Sequence, residues 1–427
     1  MTNAQFPLVA LRRFVKINPN VVLPTKGEVE YLPMEKVRSG YFEHFVADIA
    51  TLSSSLNAFA EGDVLMAKVT PCFENGNLCL ASNIHNQVGC CSTELFVLRP
   101  NTTLVLPEYL LFLLQLEEFK QTATKYMRGA GGLKRIPTDW LLDYKFPLPS
   151  IDVQALILRF LRNVESKVRS ISDACHQKIG KLSEYKQSLI TQAVTKGLNP
   201  NVEMKDGGLK WLEKIPKTRT LTSLKHLTSK IGSGKTPLGG SEVYCDIGTK
   251  IVRSQNVHSG RVNLQEARCI PDEIAREMDW CSLKNEDVLI NITGASIGRA
   301  GVVCANQPNA VVNQHVCILR LKDKKTSPQF LSFYLNSKVG QEQISYVQNG
   351  ASRESLTFEQ LGNFKIPCPS IEEQKAIAKY LNDKVETIDF VSLKIKKTID
   401  LLTEYRSSLI SAAVTGKLSL EEISHEP

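Results

Sequence analysis

One long stretch of this chain occurs twice. Residues 147–198 read PLPSIDVQALILRFLRNVESKVRSISDACHQKIGKLSEYKQSLITQAVTKGL, and residues 367–418 read PCPSIEEQKAIAKYLNDKVETIDFVSLKIKKTIDLLTEYRSSLISAAVTGKL. They align without a gap at an offset of 220, with 19 identities in 52 positions. Self-similarity at a fixed period marks a duplicated structural unit. The offset persists upstream with a few residues gained or lost: VRSG at 37–40 answers VHSG at 257–260, GDVL at 62–65 answers EDVL at 286–289, PEYLL at 107–111 answers PQFLS at 328–332, and LLDYK at 141–145 answers LGNFK at 361–365. At 427 residues the chain exceeds what one hydrophobic core usually supports. Two copies of a diverged globular head therefore sit on two copies of a better-preserved tail.

Each tail opens with Pro-x-Pro-Ser and an acidic residue two places later, Ser150 with Asp152 and Ser370 with Glu372. A capping hydroxyl and a first-turn carboxylate after a proline announce a helix. The apolar residues then step by four and three, the spacing of a coiled-coil seam. In the first tail they are Ile157, Leu161, Val164, Val168, Ile171, Leu182, Tyr185 and Leu189. In the second they are Ile377, Leu381, Ile388, Val391, Ile395, Leu402, Tyr405 and Leu409. About 45 helical residues make a rod of roughly 65 Å. Two equal helices in one chain pair most simply with each other, and a two-fold relation between the copies makes that pairing antiparallel. Between the copies, Gly197, an Asn-Pro step and a Gly-Gly step read as a helix cap and linker, with Trp211 and Ile215 as small anchors.

The heads, residues 1–146 and 220–366, show short strands rich in Val, Ile and Leu cut by Gly, Pro and Asn, each followed by a helix near 107–118 and 327–337. The fold class is α+β: two mixed heads separated by a pair of long antiparallel helices. The boundaries are 1–146 for the first head, 147–198 for the central helix, 199–219 for the linker, 220–366 for the second head, 367–418 for the distal helix and 419–427 for a tail.

Catalytic signatures are missing. GSGKT at 232–236 has Ser229 where a phosphate loop needs glycine, and Pro237 follows where its helix should run. There is no GxGxxG loop, no amino-methylation motif, no nuclease carboxylate cluster after Pro271 and Asp272, and the seven histidines lie far apart. The 11 cysteines are scattered with no CxxC pair, so they read as small buried hydrophobes, not metal ligands or disulfides. No stretch reaches the 18 apolar residues that would suggest a membrane span, and the N-terminus lacks a secretory pattern, so a cytoplasmic location is expected.

The heads do offer basic and amide side chains on loops, and the net charge of +8 is compatible with a polyanionic partner. Lys68, Arg128, Lys134 and Arg135 lie in the first head. Lys235, Thr236, Arg253, Gln255, Asn256, Arg299 and Arg353 lie in the second. Arg, Asn and Gln pair bidentately with guanine and adenine edges, while Lys and glycine-flanked backbone N–H groups suit phosphates. These are the candidate DNA-binding residues.

A duplicated head-plus-helix of this size, with PxPSIxxQ opening each helix, LxEYxxSLIxxAVT closing it and KDGGLKWLEKIP between the copies, resembles the specificity (S) subunit of Type I restriction–modification systems. The resemblance spans essentially the whole chain and extends to GSGKTP, VRSQNV and DVLINITGASIGR in the second head. The linker departs from the usual Asp-Ser-Gly at Gly207, and KVTPCF in the first head departs from the usual Gly-Ala-x-Ile-Gly loop. The family implies two target recognition domains, each reading half of a split DNA site, on paired helices that set the unread gap. It implies two modification (methyltransferase) subunits docked on the scaffold, and restriction subunits joining them. S-adenosylmethionine, ATP and Mg are then expected on those partners and no cofactor on this chain, which is not itself an enzyme. The competing readings are a stand-alone methyltransferase or nuclease, which would itself bind S-adenosylmethionine or metal, and a structural adaptor whose heads bind protein.

Overall fold

The computed structural model describes residues 6–130, 132–237, 239–304, 308–348 and 355–424. The two repeated tails are single helices, Ile151–Lys196 of 46 residues (the central helix) and Ile371–Val414 of 44 residues (the distal helix). The chain divides into two compact units, one of residues 1–175 with 397–427 and one of residues 176–396. The division therefore cuts through both helices instead of falling at their ends. Each unit joins a head to the first half of its own helix and the last half of the other.

The core of each unit explains why. In the first, Ile157, Leu161 and Val164 are buried with Ile410, Ala413 and Val414. In the second, Ile377 and Leu381 are buried with Ile190, Ala193 and Val194. Within the second unit the helix segments run in opposite directions: Lys186 Nζ meets Asp389 Oδ1 at 2.6 Å, whereas Val194 and Thr195 are joined through Arg219 to Glu373. The 4-3 spacing overstates the continuity of the buried stripe. Val168, Leu182, Leu189, Ile395, Leu402 and Leu409 are half-buried, and Ile171, Tyr185, Val391 and Tyr405 are exposed. A helix of 3.6 residues per turn drifts about 20° per heptad against a 3.5-residue pattern, so the mid-helix positions turn away from a single partner.

Both heads are built on one plan. The first has an antiparallel sheet in the order Val15–Ile17, Leu95–Pro100, Val64–Ala67, Leu78–Leu80. The second orders Thr228–Ser233, Val316–Leu321, Val288–Asn291, Ala300–Val302 in the same way and adds two short strands. Gly232 thus lies in a sheet strand and not in a phosphate loop. A further sheet in each head contains an equivalent parallel pair: Glu28–Leu32 with Val88–Cys91, and Thr249–Val252 with Ala310–Val312.

Two polar devices recur and fix the frame. Asp63, 1% exposed, takes Arg99 Nε at 2.7 Å and Nη2 at 2.6 Å; Asp287, 1% exposed, takes the same atoms of Arg320 at 2.8 Å each. Each carboxylate also accepts a backbone N–H, from Ala60 and Lys284. Gln154 accepts from Leu106 N and donates to the carbonyls of Leu104 and Pro149, and Gln374 does the same with Ser327, Lys325 and Pro369. This glutamine, the last residue of PxPSIxxQ, ties the first turn of each long helix to the loop before the head's own helix.

The segment between the copies is a β-hairpin, Met204–Leu209 with Leu212–Pro216, and not an open linker. A Cβ on Gly207 would lie 2.0 Å from the Leu212 carbonyl oxygen, so the position that departs from the family's usual serine has no room for a side chain here. Arg219, fully buried, donates Nη1 to the carbonyls of Val194 at 2.7 Å and Thr195 at 2.9 Å. A cation on the last carbonyls of the central helix complements its dipole.

Candidate nucleic-acid interface

The polar loop residues of each head gather where the parallel strand pair ends. In the second head, Thr249–Val252 runs into a 3-10 turn, Ser254–Asn256, and Ala310–Val312 runs into the corner at Asn313, Gln314 and His315. The loop between Val288–Asn291 and Ala300–Val302 closes over both. Its hub is the Ser254 carbonyl, which accepts Asn291 Nδ2 at 3.0 Å and Arg299 Nη2 at 2.8 Å. Asn291 Nδ2 also reaches Ser296 Oγ at 2.9 Å. Asn256 Oδ1 accepts the Arg253 N–H at 3.0 Å, closing the turn on itself. The Arg253 guanidinium lies 5.2 Å from the centre of the Tyr244 ring, a cation–π distance. Gln255 is exposed at the tip.

The corner carries a second network. Gln314 Nε2 stands 2.8 Å from His315 Nε2, and His315 Nδ1 stands 2.6 Å from Thr293 Oγ1. With the amide in this orientation its nitrogen can only donate, so Nε2 of the ring accepts and Nδ1 carries the hydrogen. Several buried polar atoms in this region have no partner among the described residues: Arg253 Nε, Asn256 Nδ2, Asn291 Oδ1, Arg299 Nε and Gln314 Oε1. Buried polar groups are almost always paired, by protein or by ordered water, so these atoms leave donors and acceptors at the strand ends that water or a bound partner can satisfy.

Lys235 and Thr236 leave the sheet beside the same corner, since Gly234 N–H donates to the Asn313 carbonyl at 3.2 Å. The Lys235 ammonium instead turns to Glu277, at 3.7 Å, and to the Trp280 ring, 5.4 Å from its centre. Thr236 is exposed. Arg353 lies outside the described residues.

The first head puts different chemistry on the same frame. Its 3-10 turn is Met34–Lys36, held because Arg38 Nη1 donates to the Glu35 carbonyl while Arg38 Nη2 and Lys36 Nζ reach Glu43 at 3.1 and 2.8 Å. These cations hold the Glu43 carboxyl below the usual range, Lys36 foremost. The Lys68 N–H donates to the Glu94 carbonyl as Ile292 N–H donates to that of His315, each at 3.0 Å, so Glu94 occupies the place of His315. Arg135 clamps Glu94 bidentately at 2.9 and 2.8 Å, which lowers the Glu94 pKa and raises that of Arg135. Arg128 and Arg135 exchange two backbone hydrogen bonds, and the Lys134 N–H donates to Thr70 Oγ1 at 2.9 Å. Arg128 and Lys134 expose their side chains, and Lys68 Nζ lies 5.7 Å from the centre of the Phe96 ring.

The structure thus brings Arg253, Gln255, Asn256 and Arg299 together in one head, and Lys68, Arg128, Lys134 and Arg135 in the other. Sequence reasoning missed Tyr244, Asn291, Gln314, His315, Glu94 and Glu35. Two of these carry a signal in the sequence: Asn291 lies within DVLINITGASIGR, and Glu35 falls on Gln255 at the repeat offset of 220. Among the described residues no group of three His, Cys, Asp or Glu is placed to hold a metal ion, and no helix is long and apolar enough to cross a membrane.

The chain is 22% identical to the Type I restriction enzyme EcoAI specificity subunit of Escherichia coli, over 95% of this chain and 81% of that protein. It is 24% identical to the MjaVIII specificity subunit of Methanocaldococcus jannaschii, over 93% and 88%. Among solved structures, a chain from a study of complex assembly and conformational transition of the type I R-M system superposes with a TM-score of 0.73 at 17% identity, covering 97% of this chain and 99% of that one. The HsdS subunit of Thermoanaerobacter tengcongensis gives 0.53 at 18% identity, covering 97% and 98%. At these identities the superpositions speak for the fold alone. The model of the Type I restriction modification DNA specificity domain matches residues 25–179 and again 231–401, one match on each repeat, and the chain belongs to that family.

Proposed function

We propose that this chain is the sequence-reading subunit of a Type I restriction–modification complex and carries no catalytic site of its own. Each head reads one half of a split DNA site, and the helical pair sets the number of unread base pairs between the halves. Two methyltransferase subunits dock on the helical scaffold, restriction subunits join them, and S-adenosylmethionine, ATP and Mg belong to those partners. The setting is the cytoplasm, where the DNA is.

One observation carries this reading. The two heads repeat their frame down to the Asp63–Arg99 and Asp287–Arg320 pairs, yet differ at the strand ends, where one has an Arg135–Glu94 clamp and the other a His315–Gln314–Thr293 network. Invariant framing with divergent polar tips is what two readers of two different half-sites require, because specificity resides in base-edge contacts and not in the scaffold. A stand-alone enzyme would need its chemistry at one of these tips; in the hydroxyl–imidazole contact there, Thr293 with His315, the ring Nδ1 is the donor, so the imidazole does not serve as a base for that hydroxyl.

The test is selection from randomised DNA duplexes by the full chain co-purified with its methyltransferase subunits. Two short specified blocks separated by a fixed unread gap are the expected result; sequence-indifferent recovery sinks the reading. Replacing residues 1–146 by the head of another family member should rewrite one block and leave the other.

A further inference from the structure

The two 3-10 turns, Met34–Lys36 and Ser254–Asn256, are equivalent at the repeat offset and follow equivalent strands of the parallel pairs. Both are held through a backbone carbonyl by an arginine from outside the turn: Arg38 on the Glu35 carbonyl, and Arg299, with Asn291, on that of Ser254. In both, the central residue is exposed, and among the described residues its side chain has no hydrogen-bond or ion-pair partner. That residue is Glu35 in one head and Gln255 in the other. A rigid turn with an unengaged polar tip is how a fold presents a side chain to a partner, because the positioning is complete before binding.

We propose that these two tips are base-reading residues of the two heads, Gln255 for an adenine and Glu35 for a cytosine, and that Arg299, Asn291 and Arg38 are positioning residues beneath them. This rests on the DNA-reading function proposed above. A glutamine amide offers a donor and an acceptor in one plane, the complement of adenine N6 and N7 in the major groove. A carboxylate only accepts, and the cytosine N4 amino group is the base donor it matches. Facing a phosphate, Glu35 would be repelled, so an acidic tip on a DNA-facing turn is favourable only toward a base donor. Arg299 Nη2 and Asn291 Nδ2 already donate to the Ser254 carbonyl, so Arg299 acts through the turn that it holds.

The experiment uses the full chain co-purified with its methyltransferase subunits and a pool of randomised duplexes. Gln255→Glu should exchange adenine for cytosine at one position of one block, and Glu35→Gln should make the reverse exchange at one position of the other. The change in preference at that position should be about tenfold or more. Arg299→Met should blur every position of the block that Gln255→Glu alters at one, leaving the other block sharp, with melting curves confirming that each variant folds. Unchanged base preference in both exchange variants overturns the proposal. So does a uniform loss of affinity with the consensus retained, which would mark phosphate contacts. If the unaltered chain selects no two-block site, the DNA-reading function itself falls, an outcome distinct from a two-block site that ignores both exchanges.

Discussion

Asp287, 1% exposed at the start of the strand Val288–Asn291, satisfies two guanidinium N–H groups and the Lys284 N–H at once. Removing it leaves Arg320, itself only 21% exposed, with an uncompensated charge. Breaking a buried pair from one side is costly because the surviving ion keeps its desolvation penalty, so Asp287→Ala should destabilise the second unit by roughly 3 kcal/mol. The repeat provides the control. Amide hydrogen exchange should quicken in Val288–Asn291 and Val316–Leu321 and stay unchanged in Val64–Ala67 and Leu95–Pro100; equal change in both heads, or none, would contradict the local account. The Asp-Val-Leu motif that carries Asp287 was legible in the sequence as a repeat match, but its partner was not. Arg320 lies 33 residues away, and nothing local in either segment announces the pairing. The same holds at the interface. Arg253, Gln255 and Asn256 stand out as polar residues beside a strand, whereas Asn291 reads as the last residue of an apolar strand, and only the fold shows its amide reaching the Ser254 carbonyl. Glu35 has only the repeat offset to mark it, because an acidic residue in a loop of a basic protein otherwise looks like solvated surface.

Between residue and molecule stand the long helices and their anchoring. Helix extent was legible, because capping residues and a 4-3 apolar pattern are local signals: Ser370 Oγ accepts the Glu373 N–H at 3.2 Å, and Gly197 ends the central helix at φ +87°. Which stretches of the stripe are covered was not, because coverage depends on the partner's phase and on the head packed beside it. The hairpin Met204–Leu209 with Leu212–Pro216 was also hidden, since Gly207 and Gly208 look like linker chemistry although they serve a tight strand pairing. The glutamine anchor is the feature with the clearest energetic consequence at this scale. Gln374→Leu keeps the volume roughly but strands the Ser327 N–H and the carbonyls of Lys325 and Pro369. Each buried polar group left unpaired costs about 1–3 kcal/mol, so a total of roughly 3 kcal/mol is expected where some groups recover water. Exchange should quicken over residues 371–381 while 151–161, anchored by Gln154, keeps its protection. Unaltered exchange after Gln374→Leu would show the anchor to be dispensable.

At the scale of the whole molecule, duplication divides the work differently from the chain order. Each compact unit takes the first half of its own helix and the last half of the other, so neither repeat closes its core with its own residues alone. Interchange of this kind makes the helical pair obligatory for both heads, and it leaves the length of the pair free to vary without disturbing either core. Four residues inserted into the central helix after Cys175 and four into the distal helix after Lys396, at the boundaries of the units, add about 6 Å of helix. At 3.4 Å per base pair step that corresponds to roughly two base pairs. Both specified blocks should therefore survive the double insertion with the unread gap lengthened by about two, read out by the same duplex selection. An insertion in one helix alone should instead misalign the pair, exposing apolar positions such as Ile388 and Val164, and should lower the melting temperature before it changes any spacing. A gap unchanged after a well-folded double insertion would mean that the helices hold the heads without measuring the distance between them.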